Sequence, residues 1–101
     1  MRLPMQPYFS PSVLEKLAKK HNVSVSEVIE CFANRRGKPL TDNRIDHKTN
    51  PPTRWFVAET DMGRKLKVVY IVVDNSFEVK TAYLANQQEI DIYTKVANVR
   101  F

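Results

Sequence analysis

The side chains of this sequence that could take part in catalysis are mostly cationic, and one histidine, His47, lies among them in a basic segment. Cleavage of RNA by its own 2′-hydroxyl needs a base, an acid and cations that stabilise the crowded phosphate. Lysine, arginine, tyrosine and histidine can supply all three without a metal. The candidate catalytic residues are Lys67, Lys80, His47 and Arg54. His47 is the best acid or base by residue type, and the alternative is a solvent-exposed loop histidine.

The two candidate lysines lie on neighbouring predicted strands. Lys67 interrupts an otherwise apolar strand, so its side chain must reach the open face of the sheet or its end. Lys80 could be its cross-strand neighbour, and two lysines on one open face would form a phosphate site. The alternative is a solvated sheet face on which Glu59 or Glu78 pairs with the lysines.

The net charge of +5 is concentrated in one segment, because residues 35–54 carry six basic side chains against two acidic ones. A focused basic segment attracts polyanions such as RNA or DNA, and the alternative is a solvated loop without a specific partner. Arg54 could hold a phosphate while a base stacks on Trp55, or Trp55 could belong to the core. The candidate nucleic-acid-binding residues are Arg35, Arg36, Lys38, Arg44, Lys48, Arg54, Trp55, Arg64 and Tyr83.

Several other kinds of site are disfavoured by composition. The single cysteine, Cys31, allows no internal disulfide, and it forms no zinc-ligand pattern with two histidines 26 positions apart. We therefore expect a buried, unreactive thiol, no metal and no cofactor. Only two glycines are present, which excludes a glycine-rich phosphate loop.

The length of 101 residues fits a single domain, 1–101, with one modest core. The longest apolar run, Val68–Val73, is far shorter than the roughly 20 residues of a membrane helix. The opening segment Met1–Pro7 has no apolar stretch typical of a signal peptide. We therefore expect a cytoplasmic protein that makes no membrane contact.

The first half of the sequence predicts a helical hairpin after an arm of residues 1–9. Ser12 with Glu15, and then Ser24 with Glu27, form two capping boxes ahead of apolar residues at helical spacing. The first helix should end near residues 21–22. Residues 35–53 then form an aperiodic basic loop, in which a short fourth strand at residues 44–46 is an open alternative.

The second half predicts three strands, at residues 54–60, 66–73 and 77–84, joined by two short turns. Short connections favour an antiparallel meander, and Asn86 with Glu89 predicts the cap of a final helix. The expected class is α+β in the order α-α-β-β-β-α, with the helices on one face of the sheet. Alternation along the third strand places the following side chains on one face: Phe77, Val79, Thr81 and Tyr83.

Two parts of this pattern resemble a known family. The segment K-K-H-N-V-S-V-S-E-V at residues 19–28 resembles the K-H-G-V-S-x-E-E helix junction of BrnT-type toxins. The segments G-R-K-L-K-V-V-Y at 63–70 and V-K-T-A-Y at 79–83 resemble strands of small families near BrnT, within the RelE/ParE-like toxins. The resemblance covers roughly residues 12–94. It implies a compact domain that cleaves RNA without a metal and is neutralised by an antitoxin protein.

The sequence departs from this family at two positions, which keeps other functions open. Tyr83 stands where BrnT-type proteins carry an arginine, and Asn22 stands where glycine is usual. A catalytically inactive relative that binds nucleic acid or a protein partner is therefore the alternative. The first strand, which carries Trp55, could also form a homodimer by edge pairing with a second copy.

Overall fold

A computed structural model describes residues 7–42 and 51–101, which form an α+β fold. A π-helical turn, Leu17–His21, continues the first helix. The elements in chain order are β1 (Pro7–Tyr8), α1 (Pro11–Lys16), α2 (Val25–Asn34), β2 (Leu40–Thr41), β3 (Arg54–Glu59), β4 (Lys65–Val73), β5 (Ser76–Leu84) and α3 (Gln87–Ala97).

Side-chain caps fix where the helices begin. The predicted capping boxes at Ser24 and Asn86 are both confirmed, each with its glutamate bonded back to the cap backbone. The predicted cap at Ser12 is wrong. Ser10 caps α1 instead, accepting a hydrogen bond from Val13 N at 3.3 Å, because Pro11 occupies the first turn, where its missing N–H costs nothing.

The sheet contains the predicted antiparallel meander of β3, β4 and β5, extended at both edges into five strands. Its order is β1-β5-β4-β3-β2, in which β1 pairs in parallel with β5 and β2 pairs antiparallel with β3. The N-terminal arm therefore contributes a strand that the sequence pattern did not predict. The basic loop contributes another at Leu40–Thr41, whereas the fourth strand predicted at residues 44–46 lies outside the described residues.

The first predicted strand, β3, is not the exposed edge that edge pairing with a second copy requires. It is paired with β4 along its whole length and with β2 at its beginning. At its far end, Cys31 Sγ donates to the Ala58 carbonyl at 3.5 Å and Asn34 Nδ2 donates to the Glu59 carbonyl at 2.9 Å. The chain's own side chains thus occupy these backbone acceptors of β3.

A β-bulge in β5 changes which of its side chains face which way. Val79 pairs with Tyr70 and Thr81 pairs with Val69, which leaves Lys80 as the extra residue. An extra residue reverses the alternation beyond it. The prediction that Phe77, Val79, Thr81 and Tyr83 share one face is therefore wrong: Phe77 and Val79 lie on one face, and Thr81 and Tyr83 lie on the other.

The helices cover both faces of the sheet, not the single face that was predicted. On the first, here called the α2 face, the Phe32 ring lies 5.1 Å from Phe56, 5.4 Å from Tyr70 and 5.1 Å from Phe77 between centroids. On the opposite α3 face, Tyr93 packs against Trp55 with the centroids 6.0 Å apart. Among the described residues, no helix has the length and apolarity to cross a membrane.

Candidate functional site

The structure does not bring the predicted catalytic residues together on one open face. Lys67 pairs with Tyr83 across the strands and points to the α3 face, whereas Arg54 pairs with Tyr70 on the α2 face. Lys80 is the exposed residue of the bulge, so it is not the cross-strand neighbour of Lys67. His47 lies outside the described residues. The bulge is the physical reason why the two lysines are separated in register.

Lys67 takes part in a nearly buried polar network on the α3 face. Its Nζ lies 3.0 Å from Glu89 Oε2, and each of these two side chains is 15% exposed. The same carboxylate oxygen accepts a hydrogen bond from the Tyr83 hydroxyl at 2.8 Å. The Lys67 ammonium also stands 4.6 Å from the centroid of the Trp55 ring, within the range of a cation–π contact. The Lys67 charge is therefore balanced by the Glu89 carboxylate, and the ammonium also contacts an aromatic face.

Glu89 is the centre of this network, and it stays ionised. Burial by itself raises the pKa of Glu89. Hydrogen bonds from the Asn86 backbone, the Tyr83 hydroxyl and Lys67, together with the Lys67 charge, more than offset it, so the pKa lies below its ordinary value. Its other oxygen accepts from Asn86 N at 3.0 Å. One carboxylate thus caps α3 and also attaches that helix to β4 and β5.

His21, at the end of the π-helical turn, lies beside this network. Its ring centroid is 5.5 Å from that of Tyr83. Burial and the charges of Lys20 and Lys16 lower the pKa of His21, so the imidazole is neutral at pH 7. The sequence predicts the end of the first helix near residues 21–22 but not this ring contact, because the contact depends on the reversed orientation of Tyr83 beyond the bulge.

Thr81, also beyond the bulge, has a buried hydroxyl without a hydrogen-bond partner among the described residues. Removing an unsatisfied buried hydroxyl recovers its desolvation cost, and valine keeps the shape of threonine. We expect Thr81→Val to raise the free energy of unfolding by about 1 kcal/mol, measured by urea denaturation. The matched control is Thr60→Val: its hydroxyl accepts from Arg64 N at 3.0 Å, so this variant should lose stability. A destabilised Thr81→Val protein would contradict the assignment.

A second set of polar residues lies at the beginning of β3, on the α2 face. Arg54 stands opposite Tyr70 in the pairing of β3 with β4. Arg35 ends α2 in an extended conformation, and its Cζ lies 5.8 Å from the centroid of the Phe56 ring. That ring is 6.0 Å from the Tyr70 ring. We call Arg35, Arg54 and Tyr70 the arginine cluster.

The tyrosine of the arginine cluster is buried and its two cations are exposed. Burial raises the pKa of Tyr70, although the charges of Arg35 and Arg54 and hydrogen bonding from Arg35 oppose the rise. The phenol therefore stays protonated at neutral pH. Neither arginine forms an ion pair with a carboxylate among the described residues. The cluster thus presents two guanidinium groups that can bind an anion by donating hydrogen bonds to it.

The other predicted nucleic-acid-binding residues divide into paired and exposed groups. Arg64 binds Glu27 at 2.7 Å, and Arg36 lies 3.5 Å from Glu59. Lys38 is exposed, and its backbone carbonyl accepts from the Tyr93 hydroxyl at 3.2 Å. Arg44 and Lys48 lie outside the described residues. In the described part of the basic segment, Arg35, Lys38 and Arg54 are thus exposed cations for which no ion pair with a carboxylate is found.

A groove of about 890 Å³ opens between α3 and the β2–β3 pair. Trp55 and Lys67 line it from the sheet, and Leu40, Ile92 and Val96 give it an apolar lining. Polar groups of α3 and its cap, Asn86, Gln88 and Glu89, line it as well. Trp55 was predicted either as a stacking platform or as a core residue. It is half-buried, packed on Tyr93 and also a wall of this groove.

Cys31 matches the expectation of a buried, unreactive thiol. The residue is fully buried on α2. Burial, reinforced by the neighbouring carboxylates of Glu30 and Glu27, raises the pKa of Cys31 to about 12. Almost no thiolate exists at neutral pH, so this side chain is not a nucleophile.

Comparison with known proteins assigns no family to this chain: no family model matches it, and no curated protein matches it. The resemblance to BrnT-type and RelE/ParE-like toxins therefore stays a prediction from short motifs. Any function must be argued from the arginine cluster, the groove and the network around Glu89.

Proposed function

We propose that this chain binds RNA through phosphate contacts to the arginine cluster. The observation that carries the proposal is that Arg35 and Arg54 are exposed, converge on one buried tyrosine and have no carboxylate partner among the described residues. Guanidinium groups match phosphate oxygens in geometry and bind them bidentately. The net charge of +5 adds long-range attraction for a polyanion.

The phosphate contacts give an expected salt dependence. For a single strand, the slope of log affinity against log salt is about −0.7 for each neutralised phosphate. We expect Arg35→Ala and Arg54→Ala each to weaken binding to single-stranded RNA and to reduce the magnitude of this slope by about 0.7. Fluorescence anisotropy of a labelled oligonucleotide, titrated at several salt concentrations, measures both quantities.

The control for lost charge is Lys19→Ala, because Lys19 is 77% exposed and, among the described residues, forms its ion pair with Glu15 one turn earlier. Its removal lowers the net charge equally but should leave the slope unchanged. If all three substitutions weaken binding equally, RNA binding depends on the overall charge of the protein and not on the arginine cluster. A protein that does not bind RNA at low salt would overturn the proposal.

Metal-free RNA cleavage of the RelE/BrnT-like kind is the second candidate function. The observation in its favour is that Arg35 and Arg54 are exposed cations that can stabilise the charge developing on a phosphate in such a reaction. The base would be His47. Incubating the RNA with the protein in EDTA tests this candidate, with His47→Ala and Arg54→Ala as variants. If the RNA stays intact although the wild-type protein is bound to it, cleavage is excluded and RNA binding remains as the proposed function.

A further inference from the structure

The strand β2 leaves one edge of the sheet open. It is the last strand in the sheet order, and among the described residues it pairs only with β3. Asp42 N donates to the Thr53 carbonyl at 2.8 Å, so the backbone of Asp42 is directed toward β3. Neighbouring residues of an antiparallel strand direct their N–H and C=O groups to opposite sides. The N–H and C=O groups of Thr41 therefore point outward, away from the sheet.

The two faces of the sheet differ in chemistry along this edge. Leu40 pairs with Trp55, so it lies on the α3 face, where it lines the groove. Thr41 pairs with Arg54 on the α2 face, where Arg54 is exposed and has no carboxylate partner among the described residues. A strand added beside β2 would alternate between these faces in the same way. Its side chain beside Leu40 would enter the groove, and the next one would lie near Arg54.

The part of the groove next to β2 is apolar. The Tyr93 hydroxyl donates to the Lys38 carbonyl at 3.2 Å, which holds the middle of α3 beside the beginning of β2. Ile92 and Val96 are one helical turn apart, so they lie on the same side of α3. Both line the groove, and they are 43% and 63% exposed. The polar groups that α3 and its cap add to the groove belong to the beginning of the helix. An apolar side chain that enters from the β2 edge would therefore meet apolar partners.

From these observations we propose that β2 binds an extended acidic segment of a partner protein, in which apolar side chains alternate with carboxylates. The segment adds a strand to the sheet through the outward N–H and C=O groups of Thr41. Its apolar side chains pack between Leu40 and α3, and its carboxylates lie near Arg54 and the exposed Lys38. Strand addition combines main-chain hydrogen bonds with pockets for alternate side chains. This inference goes beyond RNA binding and shares only Arg54 with the arginine cluster.

The experiment titrates the protein, by isothermal titration calorimetry, with a short peptide in which leucine alternates with glutamate. Two matched peptides separate the contributions, one with serine in place of leucine and one with lysine in place of glutamate. We expect the serine–glutamate peptide to bind about tenfold more weakly, because it buries little apolar surface in the groove. The leucine–lysine peptide should not bind measurably, because Arg54 and Lys38 repel it.

Two matched pairs of variants identify the edge and the groove as the site. Thr41→Pro removes the outward N–H without removing a bond to β3, so it should weaken binding of the leucine–glutamate peptide about fivefold. Thr41→Ala keeps the N–H and should bind as the wild type does. Ile92→Ala should weaken binding about tenfold. Ile29→Ala should leave it unchanged, although Ile29 on α2 is 44% exposed. Urea denaturation of each variant confirms that it is folded.

The outcomes separate this proposal from RNA binding. Thr41 and Ile92 lie outside the arginine cluster, so Thr41→Pro and Ile92→Ala should leave the affinity for RNA unchanged. If the leucine–glutamate peptide does not bind at about 1 mM, strand addition is wrong whatever the RNA titration gives. Equal binding of the leucine–lysine peptide would overturn the acidic character of the partner. If the wild type dimerises and Thr41→Pro is monomeric, the edge belongs to a second copy of this chain, and the partner segment is overturned.

Discussion

Replacing Glu89 with glutamine should lower the free energy of unfolding by about 2 kcal/mol, among the largest effects of a polar substitution in this chain. The carboxylate accepts from Lys67, from the Tyr83 hydroxyl and from Asn86 N. Glutamine cannot balance the charge of Lys67, which is only 15% exposed. An ammonium group left in this position without its counter-ion costs more than the pair itself contributes.

A double-mutant cycle measures how much of this cost belongs to the pair. Lys67→Met keeps the length of the side chain and removes the stranded charge, so we expect Lys67→Met/Glu89→Gln to lose less stability than the sum of the two single variants. The comparison pair is Glu15 with Lys19, whose side chains are 65% and 77% exposed. Glu15→Gln should change stability by no more than a few tenths of a kcal/mol.

The contribution of Glu89 should also depend on pH. Because its pKa in the folded protein lies below the ordinary value of 4.5, its stabilising effect is fully present above that value. It is lost as the pH falls through the pKa of the folded protein. The difference in unfolding free energy between the wild type and Glu89→Gln should therefore shrink below about pH 4.5. A difference that stays constant between pH 7 and pH 3 would show that the carboxylate is not the stabilising group.

The sequence predicted the parts of the fold that depend on local physical chemistry. The Ser24 and Asn86 capping boxes, the two hairpin turns and the antiparallel meander follow from residues that are close in the chain. At the second turn, Asp74 and Asn75 both have positive φ, which these residue types tolerate best after glycine. These features needed no information about distant segments.

The features that were missed depend on distant segments or on one extra residue. The bulge at Lys80 leaves no signal in the hydrophobic pattern, but it moves Tyr83 to the α3 face and separates the two lysines that were predicted to form a phosphate site. Glu89 was identified only as a capping residue, because its bond to Lys67 joins residues 22 positions apart. The sequence offered one usable signal: a lysine inside an apolar strand requires a nearby carboxylate.

The arginine cluster was also not predictable from residues that are close in the chain. Arg54 was singled out because it precedes Trp55, but nothing local indicated that Arg35 would end its helix against Phe56 and Tyr70. The charge count indicated the segment that contains both residues, but it did not separate Arg35 from Arg36. The structure separates them, because Arg36 turns to Glu59 and the Arg100 carbonyl instead.

Gly37 connects this cluster to the groove, and it has no room for a side chain. A Cβ at this position would lie 2.5 Å from Val99 Cγ2 and 3.1 Å from the Ala97 Cβ. Val99 is 8% exposed, so its methyl group has little space to move. We expect Gly37→Ala to lower the free energy of unfolding by about 2 kcal/mol, measured by urea denaturation, because overpacking forces the end of α3 away from the segment that carries Arg35.

The cause can be separated from an ordinary glycine effect with two further variants. Val99→Ala removes the clashing methyl group, so Gly37→Ala should cost clearly less in a Val99→Ala background than in the wild type. Gly63 provides the contrast, because it has a φ of 88° and, within the described part of the chain, no atom lies within 4 Å of where its Cβ would be. Gly63→Ala should cost about 1 kcal/mol through backbone strain alone, and Val99→Ala should not relieve it. If Val99→Ala left the cost of Gly37→Ala unchanged, crowding at the end of α3 would not be its origin.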